Sequence, residues 1–128
     1  MITRTKLIKG FAYVSHQVTD LDRARAFYEG KLGLKSTGSY AGTWEEYDVN
    51  GMTFAVWKAS DITPDYFRKL KVTGSLAFKV EDIEMFSQAL KKEGVHFLQD
   101  PVDNGGHCKT AYLADPDGNI VTLHQLLE

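Results

Sequence analysis

The chain has 128 residues, a formal net charge of −2 at pH 7, 43% hydrophobic and 25% charged residues. That is the composition of one ordinary soluble globular domain, able to bury roughly two-thirds of its unfolded surface. Its Lys and Arg residues are scattered rather than gathered into a stripe, so neither nucleic acid nor an anionic membrane is an expected partner, and no apolar run approaches the ~20 residues of a membrane span.

In chain order, residues 11–18 alternate, with Ala12, Val14 and Val18 on one face, and predict a half-buried strand. Asp20 follows as a helix cap, with Asp22 in the first turn and Leu21, Ala24, Phe27, Tyr28 and Leu32 at helical spacing. Gly33 supplies a left-handed stop. Weaker strands are expected at 35–40 and 44–49, then the turn Asp48-Val49-Asn50-Gly51 and a stronger strand at 52–58. Residues 58–74 form a junction in which Ser60-Asp61-Ile62-Thr63-Pro64 breaks structure and 65–70 predicts a short helix. A strand at 75–80, a helix at 83–93, strands near 95–98 and 109–113, the turn Asp115-Pro116-Asp117-Gly118 and a strand at 120–126 complete the series. The lone cysteine, Cys108, excludes an internal disulfide, and the N-terminal residues lack the apolar core of a secretory signal. A cytoplasmic location is the resulting expectation.

The order strand-helix-strand-strand-strand occurs twice. Val14-Ser15-His16-Gln17-Val18-Thr19-Asp20-Leu21-Asp22 is answered 62 positions later by Leu76-Ala77-Phe78-Lys79-Val80-Glu81-Asp82-Ile83-Glu84. Each copy runs an alternating strand into an acidic helix start, and each helix is followed by a glycine flanked by Leu or Val. A fixed long period of this kind signals duplicated structural units.

Those paired helix starts, together with Ala111-Tyr112-Leu113-Ala114-Asp115-Pro116-Asp117-Gly118-Asn119, resemble the vicinal oxygen chelate superfamily. It includes glyoxalase I, extradiol dioxygenases, fosfomycin resistance enzymes and bleomycin resistance proteins. The resemblance spans residues 10–126 and implies an α+β fold: two tandem βαβββ modules, at 10–58 and 74–126 of a single domain 1–128, whose curved sheets enclose a shared cavity. It also implies four metal-ligand positions. One stands seven residues before each helix-start aspartate, at Tyr13 and Ser75; the other stands four after each turn glycine, at Ala55 and Thr122. Ala has no donor, and neutral hydroxyls are poor donors to divalent ions. A one-residue slip recruits no better ligand, so neither metal nor other cofactor is expected.

Strand parity marks the cavity-facing positions instead. They are Tyr13, Ser15 and Gln17 from the first strand; Thr53, Ala55 and Trp57 from the fourth; Ser75, Ala77 and Lys79 from the fifth; and Ile120, Thr122 and His124 from the last. Tyr112 joins them, with either Trp44 and Glu46 or Glu45 and Tyr47. Rings, small residues and a few polar tips are the composition of a small-molecule pocket. His124 with Glu46 is the candidate acid–base pair. His16 shares the helix-covered parity of Val14 and Val18, which suits a packed histidine; His96 follows a helix-ending glycine and belongs at the surface. His107 and Cys108 are adjacent on a strand or its turn and so face opposite ways.

Two function classes follow. The first is a metal-free protein, similar to bleomycin resistance proteins, that sequesters a small aromatic or partly apolar molecule, with Tyr13, Ser15, Gln17, Trp44, Ala55, Trp57, Ser75, Lys79, Tyr112, Thr122 and His124 as contacts. The second is a lyase, isomerase or dioxygenase-like enzyme using a displaced metal or metal-independent acid–base chemistry. An interaction module with a collapsed cavity is a third. The resemblance also implies a homodimer.

Overall fold

The structure is a computed structural model and describes residues 11–68 and 76–127. Its elements are β1 (Val14–Val18), α1 (Leu21–Arg25) running into a π-helical segment (Ala26–Lys31), β2 (Ser36–Tyr40), β3 (Trp44–Val49), β4 (Met52–Lys58) and α2 (Asp65–Arg68). The second half holds β5 (Leu76–Lys79), α3 (Ile83–Lys92), β6 (Phe97–Asn104), β7 (Cys108–Ala114) and β8 (Ile120–Leu126). They form two open four-stranded sheets, β1-β4-β3-β2 and β5-β8-β7-β6. In each, the first and last strands pair in parallel and the remaining ladders are antiparallel. This is the α+β tandem βαβββ architecture that the doubled sequence implies. Among the described residues no helix is long and apolar enough to cross a membrane.

The helix boundaries follow from capping chemistry. The Asp20 carboxylate accepts from Arg23 N at 3.0 Å and the Asp82 carboxylate from Met85 N at 3.0 Å, each satisfying an orphan first-turn donor. Gly33 (φ 80°) and Gly94 (φ 82°) close the two helices in the left-handed conformation that any side chain would strain.

Three elements depart from expectation. The β1–β4 ladder begins only at Val14, because Met52 and Thr53, which stand opposite residues 12 and 13, pair solely with β3. The first helix widens into π geometry, with Leu32 N donating to Phe27 O. The consecutive Phe27 and Tyr28 both face the core, at 6% and 0% exposure. β6 runs far past 95–98, to Asn104, and tolerates Pro101 because it is a sheet edge whose register shifts on either side of Gln99. The junction helix ends its described part at Arg68; the expected remainder, residues 69 and 70, lies outside the described residues.

One hydrophobic core serves both modules. Val18, Phe27, Tyr28, Phe54 and Val56 of the first half join Ile83, Leu90, Leu113, Val121 and Leu123 of the second. The Phe54 and Phe78 rings meet edge-on at 5.9 Å across the seam. At roughly 1.5–3 kcal/mol for each large apolar side chain fully buried, this helix-side interior dominates stability. The alternate residues of β1, β4, β7 and β8 are thereby committed to the opposite, open face.

Candidate functional site

On the open face of the first sheet, register places Ser15, Ala55, Glu46 and Gly38 in one row and Gln17, Trp57, Trp44 and Tyr40 in the next. Tyr13 lies one inward position before Ser15, and Trp44 one row beyond Glu46. Their rings nevertheless meet edge-on, with centroids 5.1 Å apart and planes at 87°. To do so they must lean across the row that contains Ala55, and Ala55 is 0% exposed. Ala55, one of the ligand positions that the resemblance implies, therefore lies between the strand positions of an aromatic pair. Edge-to-face geometry sets the positive rim of one ring against the negative face of the other.

Polar groups on this face are only partly paired. Trp44 Nε1 donates to Glu46 Oε1 at 3.0 Å. Gln17 Oε1 is buried and has no hydrogen-bond partner, in the same row as Trp57 and Trp44. Of the two alternative sets on β3, the structure selects Trp44 and Glu46 for the open face. Glu45 (2% exposed) and Tyr47 (0%) point to the helix side.

On the second sheet the equivalent rows are Ala77, Thr122, Tyr112 and Gln99, then Lys79, His124, Thr110 and Val102. Thr122 is buried, His124 and Tyr112 are half-buried, and Ala77 and Lys79 are exposed. Ser75 lies outside the described residues. Glu46 and His124 stand on different sheets, and among the described residues no hydrogen bond joins them. His107 is exposed in the β6–β7 turn, while Cys108 is half-buried at the start of β7.

The residues at the ligand positions do not fit a divalent metal. Ala55 offers no donor, Thr122 offers a neutral hydroxyl, and Tyr13 is engaged with Trp44. Among the described residues, no group of three or more His, Cys, Asp or Glu side chains is placed to hold an ion.

Helix-side polar chemistry proves more extensive than the sequence suggested. Tyr28 Oη donates to Asp115 Oδ2 at 2.9 Å, so its single proton is committed, and His16 Nδ1, 3.0 Å from the same oxygen, must be the donor to it. The result is a buried relay from His16 through Tyr28 to Asp115. Asp115 also accepts from Asp117 N, Asn119 N and Asn119 Nδ2 at 2.8–2.9 Å. Burial lowers the His16 pKa from its ordinary 6.5, against the upward pull of Asp115; burial, then the Asp115 charge and hydrogen bond, push the Tyr28 phenol far up. Close by, Asn119 Nδ2 donates to Gln17 O at 3.0 Å and Thr19 N to Asp117 Oδ1 at 3.2 Å. The Asp-Pro-Asp-Gly-Asn turn of one module thus clasps the end of β1 in the other.

A second helix-side cluster centres on Glu45, which accepts from Arg25 Nε at 2.7 Å, from Ser39 Oγ at 2.7 Å and from Ser36 Oγ. Burial pushes its pKa up, but the Ser36, Ser39 and Arg25 hydrogen bonds outweigh that and hold it below the usual carboxylate value. These groups hold the fold and lie behind the sheet from Ala55.

Two sheets of this topology and an Asp-capped helix in each module define a class. The chain belongs to the glyoxalase/bleomycin resistance protein/dioxygenase superfamily, which it matches over residues 10–123. Among solved structures it is similar to a glyoxalase-related enzyme from Fulvimarina pelagi, at 21% identity and TM-score 0.73, covering 92% of this chain and 88% of that one. It is also similar to the fosfomycin resistance protein FosX from Mesorhizobium loti, at 19% identity and TM-score 0.66, covering 92% of each chain. A third is a variant of the genomically encoded FosX from Listeria monocytogenes, in complex with manganese(II) and a dihydroxypropylphosphonic acid. Identity there is 17% and TM-score 0.71, covering 91% of this chain and 90% of that one. At these identities the likeness concerns the fold.

Proposed function

We propose that the protein is a metal-free binder of a small aromatic or partly apolar molecule on the open face of its sheets. The observation that carries this reading is the Tyr13–Trp44 pair flanking Ala55, with Trp57 alongside and the buried Gln17 Oε1 unpaired. Rings give a planar ligand area at low entropic cost, and an orphaned buried acceptor costs about 1–3 kcal/mol until a donor meets it. The ligand therefore carries an N–H or O–H group beside its flat apolar part. The ligand positions supply no donor set for the manganese named with the Listeria protein, so its chemistry is not transferred.

Ser15 and Ala55 form the floor of this site. Lys79, Tyr112, Thr122 and His124 supply the facing wall, so that both modules, 10–58 and 74–126, serve one ligand. A homodimer completes the cavity, consistent with the exposure of Tyr13 (51%), Tyr40 (55%) and Leu126 (59%), which a monomer leaves in water. A catalytic reading has one observation in its favour, the half-buried His124 in one row with Lys79 and Thr110.

The test is a tryptophan fluorescence titration with naphthols and hydroxyindoles, in the native protein and in Trp44→Phe, alongside elemental analysis. Saturable quenching that Trp44→Phe weakens supports sequestration. A stoichiometric metal removed by chelator, or a flat response across the panel, would defeat it. Turnover of any panel compound that His124→Ala abolishes in a folded protein would favour the catalytic reading.

A further inference from the structure

The seam between the modules holds a second, chemically different cleft of about 300 Å³, on the helix side. We infer that it binds a small organic anion, an oxyanion group carried on a ring-sized apolar body. The volume is at the lower end of ligand pockets, about 300–1,000 Å³. Its floor is apolar, with Phe27 at 6% and Val95 at 9% exposure and Pro116 on the wall.

Cations on that wall outnumber the acids and are incompletely paired. Lys31 Nζ donates to the Glu93 carbonyl at 2.6 Å, which tethers the ammonium across the seam; among the described residues no carboxylate lies within salt-bridge distance of it. Arg23, 55% exposed in its side chain, reaches Asp117 only at 3.8 Å and donates to Thr19 Oγ1 at 3.2 Å, leaving guanidinium donors available. His96 lines the opposite side with an exposed ring. The one acid on the wall, Asp115, already accepts four hydrogen bonds, so its lone pairs are occupied. A tethered Lys31 ammonium with no carboxylate partner among the described residues, and Arg23 donors left free over an apolar floor, against an Asp115 carboxylate whose charge is spread over four hydrogen bonds, favour an anionic ligand over a cationic one.

Because Arg23, Phe27 and Lys31 come from one module and Val95, His96 and Pro116 from the other, an occupant spans both. Binding there raises the unfolding temperature, and the gain grows with the logarithm of ligand concentration above Kd.

Three probes of similar size test the inference by NMR titration of the intact chain: benzoate, phenyl phosphate and the cation benzylamine. The expected result is saturable shifts confined to Phe27, Val95 and His96 with either anion, the tighter of the two identifying carboxylate or phosphate as the natural headgroup. Lys31→Gln should weaken binding about tenfold, the worth of one charge-assisted contact. Ala26→Asp, an exposed position on the cleft wall, should abolish it without unfolding the chain. Trp44→Phe should leave it unchanged, which separates this cleft from the open face. Equal binding of benzylamine, shifts only at open-face residues, insensitivity to both cleft variants, or no shift at millimolar anion would each overturn it.

Discussion

Replacing Tyr28 by Phe deletes one oxygen from a side chain that is 0% exposed, and with it the middle of the His16–Tyr28–Asp115 relay. The ring stays packed against Phe27 at 5.0 Å and Phe54 at 5.1 Å, so the cavity contribution is small. Two polar losses remain. The 2.9 Å bond to the Asp115 carboxylate is a charged-group hydrogen bond, worth about 1.5–3 kcal/mol, and the stranded His16 donor costs about 1–3 kcal/mol. Because both belong to one network they do not simply add, and Asp115 keeps three other donors; about 2–4 kcal/mol is the expected total. In urea at pH 7.5, where His16 is neutral, the midpoint should fall by roughly 1–2 M with an unchanged slope. A loss under about 0.5 kcal/mol would show that the relay is not closed in solution and refute the reasoning.

The His16 pKa is depressed below 6.5 in the fold, so the unfolded chain takes up a proton first as pH drops. The associated stability is full above 6.5 and declines as pH falls through the folded-state value; melting temperatures from about pH 8 to 5 should show this, and a flat profile would contradict it. Glu45→Ala strips Arg25, Ser36 and Ser39 of their shared acceptor and should cost about 1–3 kcal/mol in urea unfolding, the half-exposed Arg25 being partly rescued by water. Ala55→Glu forces a carboxylate against the Tyr13–Trp44 pair; about 1–3 kcal/mol of overpacking and a red-shifted tryptophan emission are expected, and an unchanged spectrum would mean that the pair is not there. Asp20→Ala and Asp82→Ala should each cost about 1 kcal/mol through loss of a helix cap, measured the same way.

The architecture was legible in the sequence wherever a local rule and the core agreed. Asp20 and Asp82 cap where their position before an amphipathic run demands, and β3, β4 and β8 span the residues that alternation indicated. Alternation read the faces of β4 and β8 correctly because each strand has one side committed to the core. It left β3 open, since Trp44, Glu45, Glu46 and Tyr47 mix ring and acid on both parities. The Arg25, Ser36 and Ser39 partners of Glu45, and the packing of Tyr47 on Tyr28 and Phe54, turn that set to the helix side. The relay was illegible for a related reason: His16 had the parity of a packed residue, but Tyr28 and Asp115 are 12 and 99 positions from it, a proximity that no local pattern encodes. Gln17 was placed on the open face by parity, yet its unpaired oxygen is a property of packing alone.

The Asp-Pro-Asp-Gly-Asn turn is the most recognisable signature in the chain, and its side chains are spent on holding the two modules together. Asp115 anchors Tyr28, Asp117 takes Thr19, and Asn119 reaches the carbonyl of Gln17. A search that recognises relatives by this turn therefore reports a joint, not a reaction. What such a chain does is read instead from the open-face rows that contain Ala55 and Thr122, on the side of each sheet away from that joint.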